Sequence, residues 1–206
     1  MTRPLILAST SPYRQQLLQQ LRLPFTAVAP LGEEFIDQSV APELLVKHLA
    51  LQKATSLRVN YDDALILGSD QVFVNPRGTV MGKPGSVAEA KRQLQAMAGK
   101  THCFYTGIAL YDCRSKRSLT EYVAYSVTLR ELTAEQIAYY VEQENPVDCA
   151  GSFKIEGLGI SLMEQMAGED YTSLIGLPLI RLTLMLQDFG VDVLSPAGCL
   201  SQNTPV

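Results

Sequence analysis

Histidine is scarce in this 206-residue chain: His48 and His102 are the two present, and neither lies near a serine or cysteine motif. That argues against a Ser-His-Asp or Cys-His nucleophile system. Cysteine is almost as thin. Cys103, Cys113, Cys149 and Cys199 form no CxxC pair and stand at no ligand spacing from a histidine. Incidental thiols in a reducing compartment account for them better than a zinc site or a disulfide frame does. Basic charge is not in excess: 17 Lys and Arg stand against 21 Asp and Glu, a net charge of −4. This argues against binding to a nucleic-acid polymer or a polybasic attachment to membranes, and leaves room for a small anionic ligand held by a few local cations. Long apolar runs are missing too. The richest stretch, Leu174 to Leu186, is interrupted by Gly176, Pro178, Arg181 and Thr183, so no membrane span is expected. The first residues show no signal-peptide pattern, which points to the cytoplasm. There is no internal repeat and no low-complexity segment.

What remains is the composition of a soluble protein with a real core, 47% apolar and 18% charged, in one large domain or two small lobes. Leu5 to Ala8 reads as a buried strand. Ser9, Thr10 and Ser11 follow, then Pro12, a helix-start signal because a hydroxyl can cap free N–H groups and proline suits the first helical turn. Arg14 falls in that turn. Ser9, Ser11 and Arg14 thus make a candidate phosphate cradle at a helix N-terminus; a plain helix cap is the alternative. Phe25 to Ala29 reads as a strand, and the loop after it carries Glu33, Glu34 and Asp37. A helix is expected from about Glu43 to Arg58. Its Lys53 reads as an ordinary solvated lysine.

Ala64 to Leu67 is a buried-type strand leading into Gly68-Ser69-Asp70-Gln71, with a second short strand at Val72 to Val74. An aspartate there is either a turn cap between two strands or a site residue at a rigid strand end. Asn75 to Gly78 is a turn. Gly82-Lys83-Pro84 holds a lysine between restricted neighbours. Ser86 with Glu89, and Thr133 with Gln136, are capping boxes that open helices to about Met97 and Gln143. Phe104 to Tyr111 and Leu119 to Leu129 read as a strand hairpin. Cys149 to Gly157 is a glycine-rich loop, either approaching a ligand or serving as a flexible connector. A strand is expected near Gly159 to Met163, and a last helix from about Pro178 to Phe189. The fold class is α/β, with a mixed sheet flanked by helices.

These motifs, Ser-Thr-Ser-Pro-Tyr-Arg at 9–14, Gly-Ser-Asp-Gln at 68–71, Gly-Lys-Pro at 82–84 and Cys-Ala-Gly-Ser-Phe-Lys-Ile-Glu-Gly at 149–157, resemble in the same order those of the Maf family of nucleoside triphosphate pyrophosphatases. The likeness is greatest to its YceF-type subgroup, the 7-methyl-GTP pyrophosphatases. The resemblance implies an elongated central sheet in two lobes with a cleft between them, as in inosine triphosphatases. The lobes would span residues 1–193, and 194–206 would be a flexible tail. It implies a cytoplasmic enzyme, and a homodimer, that cuts a nucleotide between its α and β phosphates with a divalent cation, Mg²⁺ or Mn²⁺. Asp70 matches the catalytic acid. Ser9, Arg14, Glu34, Lys53 and Lys83 match the phosphate- and metal-site set, with Glu34 and Asp70 as metal ligands. Tyr13, Gln71 and Glu156 match the positions that set substrate choice. The subgroup often has tryptophan where Tyr13 stands, so the aromatic face is kept with less area. The family often has Asp-Glu where this chain has Glu33-Glu34, so Glu34 carries over and Glu33 does not. Other substrates, dTTP or UTP, and a nucleotide-binding regulator of division with little turnover are the competing functions.

Overall fold

The computed structural model describes residues 3–32 and 40–195. In chain order the elements are β1 (Leu5–Ala8), α1 (Pro12–Gln19), β2 (Phe25–Val28), α2 (Pro42–Ser56), β3 (Leu65–Val74), β4 (Val80–Met81), α3 (Val87–Met97), β5 (Thr101–Asp112), β6 (Ser118–Leu129), α4 (Ala134–Glu144), β7 (Met163–Gly168), α5 (Tyr171–Ile175) and α6 (Leu179–Asp188), with short 3₁₀ turns between some of them. The strands pair in the order β2-β1-β3-β5-β6-β7, with β4 also on β3. β1 runs parallel to both β2 and β3, whereas β3–β4 and β6–β7 are antiparallel. The sheet is therefore mixed, as expected. Among the described residues no helix is long and apolar enough to cross a membrane.

The chain divides into two compact units. The first takes the described residues up to Gln71, with Thr106–Val123 and the described residues from Asp170 on. Here β1 is buried on both faces, as a parallel strand must be. Its side chains alternate between two cores. Leu5 and Leu7 join Leu17, Leu18, Leu65, Leu67 and α6 on one side; Ile6 and Ala8 join Ala50 and Ala54 of α2, Leu57 at its C-terminal cap and Ile66 of β3 on the other. α2 lies unusually close to the strands. A Cβ placed on Gly68 would stand 2.1 Å from the Ala50 carbonyl oxygen, and one on Gly107 2.1 Å from that of Val46. Only glycine admits this approach.

The second unit comprises Val72–Tyr105 and Ala124–Glu169. Phe73, Phe104 and Phe153 pack edge-on or tilted in its core, and His102 stacks on Phe73. The Thr133–Gln136 capping box is fully formed; Ser86 accepts from the Glu89 N–H, while the Glu89 carboxylate turns to Arg92.

Three expectations need correction. Gly68 to Gln71 is no break between strands: β3 is continuous over ten residues, because ladder pairing outweighs the turn-like composition. The strand placed near Gly159 to Met163 starts at Met163, preceded by a 3₁₀ turn over Leu158–Leu162. The short helix α5 was not expected; it has its own signals, an Asp170 cap just ahead of the stretch read as interrupted apolar sequence and a Gly176 stop within it. The expected tail lies outside the described residues from 196 on.

Candidate functional site

Strand β3 presents its polar residues alternately to the two faces of the sheet. Asp70 points toward α2, on the same side as Gly68, and its Oδ1 receives a hydrogen bond from Lys53 Nζ. Both side chains are about nine-tenths buried. Lys53 is thus no solvated surface lysine. It occupies the stripe of α2 that also buries Val46, Leu49, Ala50 and Ala54, and a cation there is held by the carboxylate it meets.

Ser69 and Gln71 point the other way, toward α5. Ser69 Oγ donates to the carbonyls of Gly107 at 2.8 Å and Gly176 at 3.0 Å. The Gly176 carbonyl also accepts from Arg14 Nε at 2.9 Å, which sets the plane of that guanidinium. Gln71 Nε2 donates to Thr106 Oγ1, Ser173 O and Leu174 O. The α5 turn is braced by buried Asp170, whose carboxylate accepts from Thr172 N–H, Thr172 O–H and Ile180 N–H.

At the start of α1 the two serines act on the backbone. Ser11 Oγ caps the helix by accepting from Arg14 N–H, and Ser9 Oγ accepts from Ser11 N–H at 3.1 Å. Each hydroxyl keeps its own proton as a donor. Tyr13, which precedes Arg14 in the chain, is 41% exposed.

The second unit carries Lys83 and Glu156, both exposed. The Gly82 carbonyl before Lys83 accepts from Gln93 Nε2, and Gln93 Oε1 accepts from the wholly buried Ser152 hydroxyl at 2.6 Å. The loop ahead of Glu156 is no flexible connector. Its Lys154 N–H donates to Tyr140 Oη at 2.9 Å and its Lys154 ammonium to the Glu144 carbonyl at 2.6 Å; just beyond Glu156, Leu158 N–H reaches the Glu144 carboxylate. Burial pushes the Tyr140 hydroxyl pKa up, so it stays a neutral acceptor for that backbone amide.

The structure therefore brings Lys53 to Asp70, and Arg14, Ser69 and Gln71 to the α5 turn. Glu33 and Glu34 lie outside the described residues. Thr106, Ser173, Gly176 and Asp170 escaped the sequence reading; the Asp-x-Thr pattern at 170–172 and the stop at Gly176 were the signals available. Among the described residues no group of three or more His, Cys, Asp or Glu could hold a metal ion. Asp70 nonetheless offers its second carboxylate oxygen. A hard cation that takes most of its ligands from substrate phosphates and water needs only one or two carboxylates from the protein, so this donor fits.

The chain is 60% identical over 190 residues to the 7-methyl-GTP pyrophosphatase of Syntrophotalea carbinolica, covering 92% of this chain and 96% of that one. It is 47% identical to the 7-methyl-GTP pyrophosphatases of Idiomarina loihiensis, over 95% of this chain and 99% of that one, and of Pseudomonas aeruginosa, over 92% and 98%. Its fold is shared by a HAM1 protein from Coxiella burnetii, at a TM-score of 0.50 and 14% identity, over 91% of this chain and all of the other. Residues 4–189 match the family described as Maf-like protein, and the chain belongs to that Maf family.

Proposed function

We propose that the chain is a nucleoside triphosphate pyrophosphatase that converts 7-methyl-GTP to 7-methyl-GMP and pyrophosphate. The observation that carries this is the buried Asp70–Lys53 pair on β3 and α2, in a chain so close over its whole length to proteins named for that reaction. In the reaction a water oxygen bonds to the α-phosphorus, the bond from that phosphorus to the α–β bridging oxygen breaks, and pyrophosphate leaves. Asp70 orients the water and accepts its proton. Lys53, hydrogen-bonded to Oδ1, holds the carboxylate in place. Arg14, held through its Nε by Gly176, and Lys83 carry charge complementary to the triphosphate, and the Ser9 and Ser11 hydroxyls donate to it. Asp70 and Glu34 would hold a divalent cation, Mg²⁺ or Mn²⁺, which when bound neutralises phosphate oxygens.

Base choice falls to Tyr13, Gln71 and Glu156. N7-methylation leaves guanine with a delocalised positive charge, and a tyrosine face stacked on it gains about 0.5–2 kcal/mol of cation–π attraction. Glu156 accepts from one of the two donors on the N1–H and N2 amino edge and leaves the other to Gln71. A cytoplasmic location accords with the described cysteines, 103, 113 and 149, all free thiols.

Pyrophosphate release from 7-methyl-GTP, GTP, dTTP, UTP and CTP, with and without Mg²⁺ or Mn²⁺, tests the reading. 7-methyl-GTP is expected to be cut fastest, and Asp70→Asn to lower kcat by about 10²–10⁴-fold. Faster cleavage of dTTP or UTP would move the chain to the other substrate class. Binding without turnover in the wild type would make it a nucleotide-binding regulator.

A further inference from the structure

The side-chain amide of Gln71 is held in one orientation. Its Nε2 group has two protons, and they meet Ser173 O at 2.8 Å and Thr106 Oγ1 at 2.9 Å, with Leu174 O at 3.2 Å. Carbonyl oxygens accept and never donate, so a reversed amide would set Oε1 against two of them. Thr106 completes the lock. Its single hydroxyl proton goes to Ser173 O at 2.8 Å, which leaves its oxygen to receive Gln71. Thr106 and Ser173 are wholly buried, and the Ser173 hydroxyl is itself spent on the Asp170 carbonyl at 2.6 Å. Among the described residues Oε1 of the half-buried Gln71 takes no hydrogen bond. The amide therefore meets a ligand as an acceptor alone, although glutamine by nature both donates and accepts.

We propose that Thr106 is a positioning residue that turns Gln71 into a pure acceptor, so that the site selects a base by the hydrogen-bond donors on its edge. This rests on the reading that Gln71 meets the base. The Watson–Crick edge of guanine carries two adjacent donor groups, N1–H and the N2 amino group. Uracil and thymine carry one N–H between two carbonyls, and a carbonyl set against Oε1 is repelled. A freely rotating glutamine would satisfy either edge and discriminate little; the clamp removes that freedom.

Two measurements on wild type, Thr106→Val and Thr106→Ser test this. The first is water exchange of the Gln71 side-chain NH₂ in ¹⁵N-edited spectra, with the signal assigned by its loss in Gln71→Glu. Exchange is expected to be slow in the wild type and in Thr106→Ser, and at least about tenfold faster in Thr106→Val, the weight of one neutral hydrogen bond. The second is kcat/KM for 7-methyl-GTP and UTP. The preference for 7-methyl-GTP is expected to drop about tenfold in Thr106→Val, through KM with kcat little changed, and to return in Thr106→Ser. A Gln71 amide that exchanges in the wild type as fast as a surface glutamine overturns the clamp, whether or not the valine variant folds. Fast exchange in Thr106→Val with the preference intact overturns its part in selection. A wild type that prefers UTP overturns the 7-methyl-GTP reading instead, and leaves the clamp to the exchange data.

Discussion

Asp70 carries a negative charge inside the first unit, and Lys53 is what makes that tolerable. A buried ion pair adds little net stability, but removing one partner strands the other in a medium that solvates it poorly. Lys53→Met is therefore expected to destabilise the fold by about 3–5 kcal/mol in urea titrations. The double variant Lys53→Met/Asp70→Asn should recover most of that loss and none of the pyrophosphate release. A double variant as unstable as Lys53→Met would show that the lysine acts through packing alone. At this scale the sequence was half legible. Asp70 stands out at the end of an apolar run. Lys53 does not, since helix lysines are mostly solvated, and the clue to its burial is subtle: it falls three and four residues after Ala50 and Leu49, where the apolar stripe of α2 calls for a hydrophobic side chain.

Helix α2 reaches Asp70 because two glycines let it down onto the sheet. Gly68→Ala or Gly107→Ala would drive a methyl group against the backbone of Ala50 or Val46, and the helix would have to lift. Each is expected to cost about 1–3 kcal/mol and to lower kcat by pulling Lys53 off Asp70. Urea midpoints and single-turnover rates on the same samples check both effects. Elements with local signals were readable from the sequence: the Ser11–Pro12 start of α1 and the Thr133–Gln136 box of α4 form as the residues suggest. β3 was not, because Gly68 to Gln71 has the composition of a turn and its strand geometry is imposed by neighbours in the sheet that lie far off in sequence, β1 on one side and β5 on the other. The bracing of Gln71 was illegible for the same reason. Its partners Thr106 and Ser173 lie 35 and 102 residues away.

For the molecule as a whole, acid should act on the two units in sequence. In the second unit burial lowers the His102 pKa from the usual 6.5; the hydrogen bond to the Met97 carbonyl opposes this in part, and the charge of Lys100 adds to the lowering. Arg77 and Lys100 line the same cavity of about 410 Å³ as His102. The unfolded chain then binds a proton that the folded one refuses, so stability is full above pH 6.5 and falls as the pH drops below it. In the first unit burial acts to raise the Asp112 pKa, but hydrogen bonds from Arg3 and the Ser115 N–H outweigh it and hold the carboxyl at about 2, against an ordinary 3.8. That contribution, about 2 kcal/mol, is full above pH 3.8 and is lost as the pH falls toward 2. Hydrogen exchange at pH 7.5, 5.5 and 3.5 should show amides of the second unit loosening by pH 5.5, while those around Asp112 hold until the pH falls below 3.8. His102→Phe should abolish the earlier step; simultaneous loosening of both units would refute the assignment. The alternation along β3 has a further consequence. Because acid and amide are adjacent on one strand and face opposite sides of the sheet, the roles proposed for Asp70 in the chemistry and for Gln71 in the choice of base share a single register. A frameshift of the strand by one residue, from an insertion between Leu65 and Gly68, would deliver the carboxylate to α5 and the amide to α2, and so erase turnover and selectivity in one genetic event. Point substitutions at either residue can alter one property and spare the other, so new specificities in such a scaffold are reached by replacement and closed off to insertion.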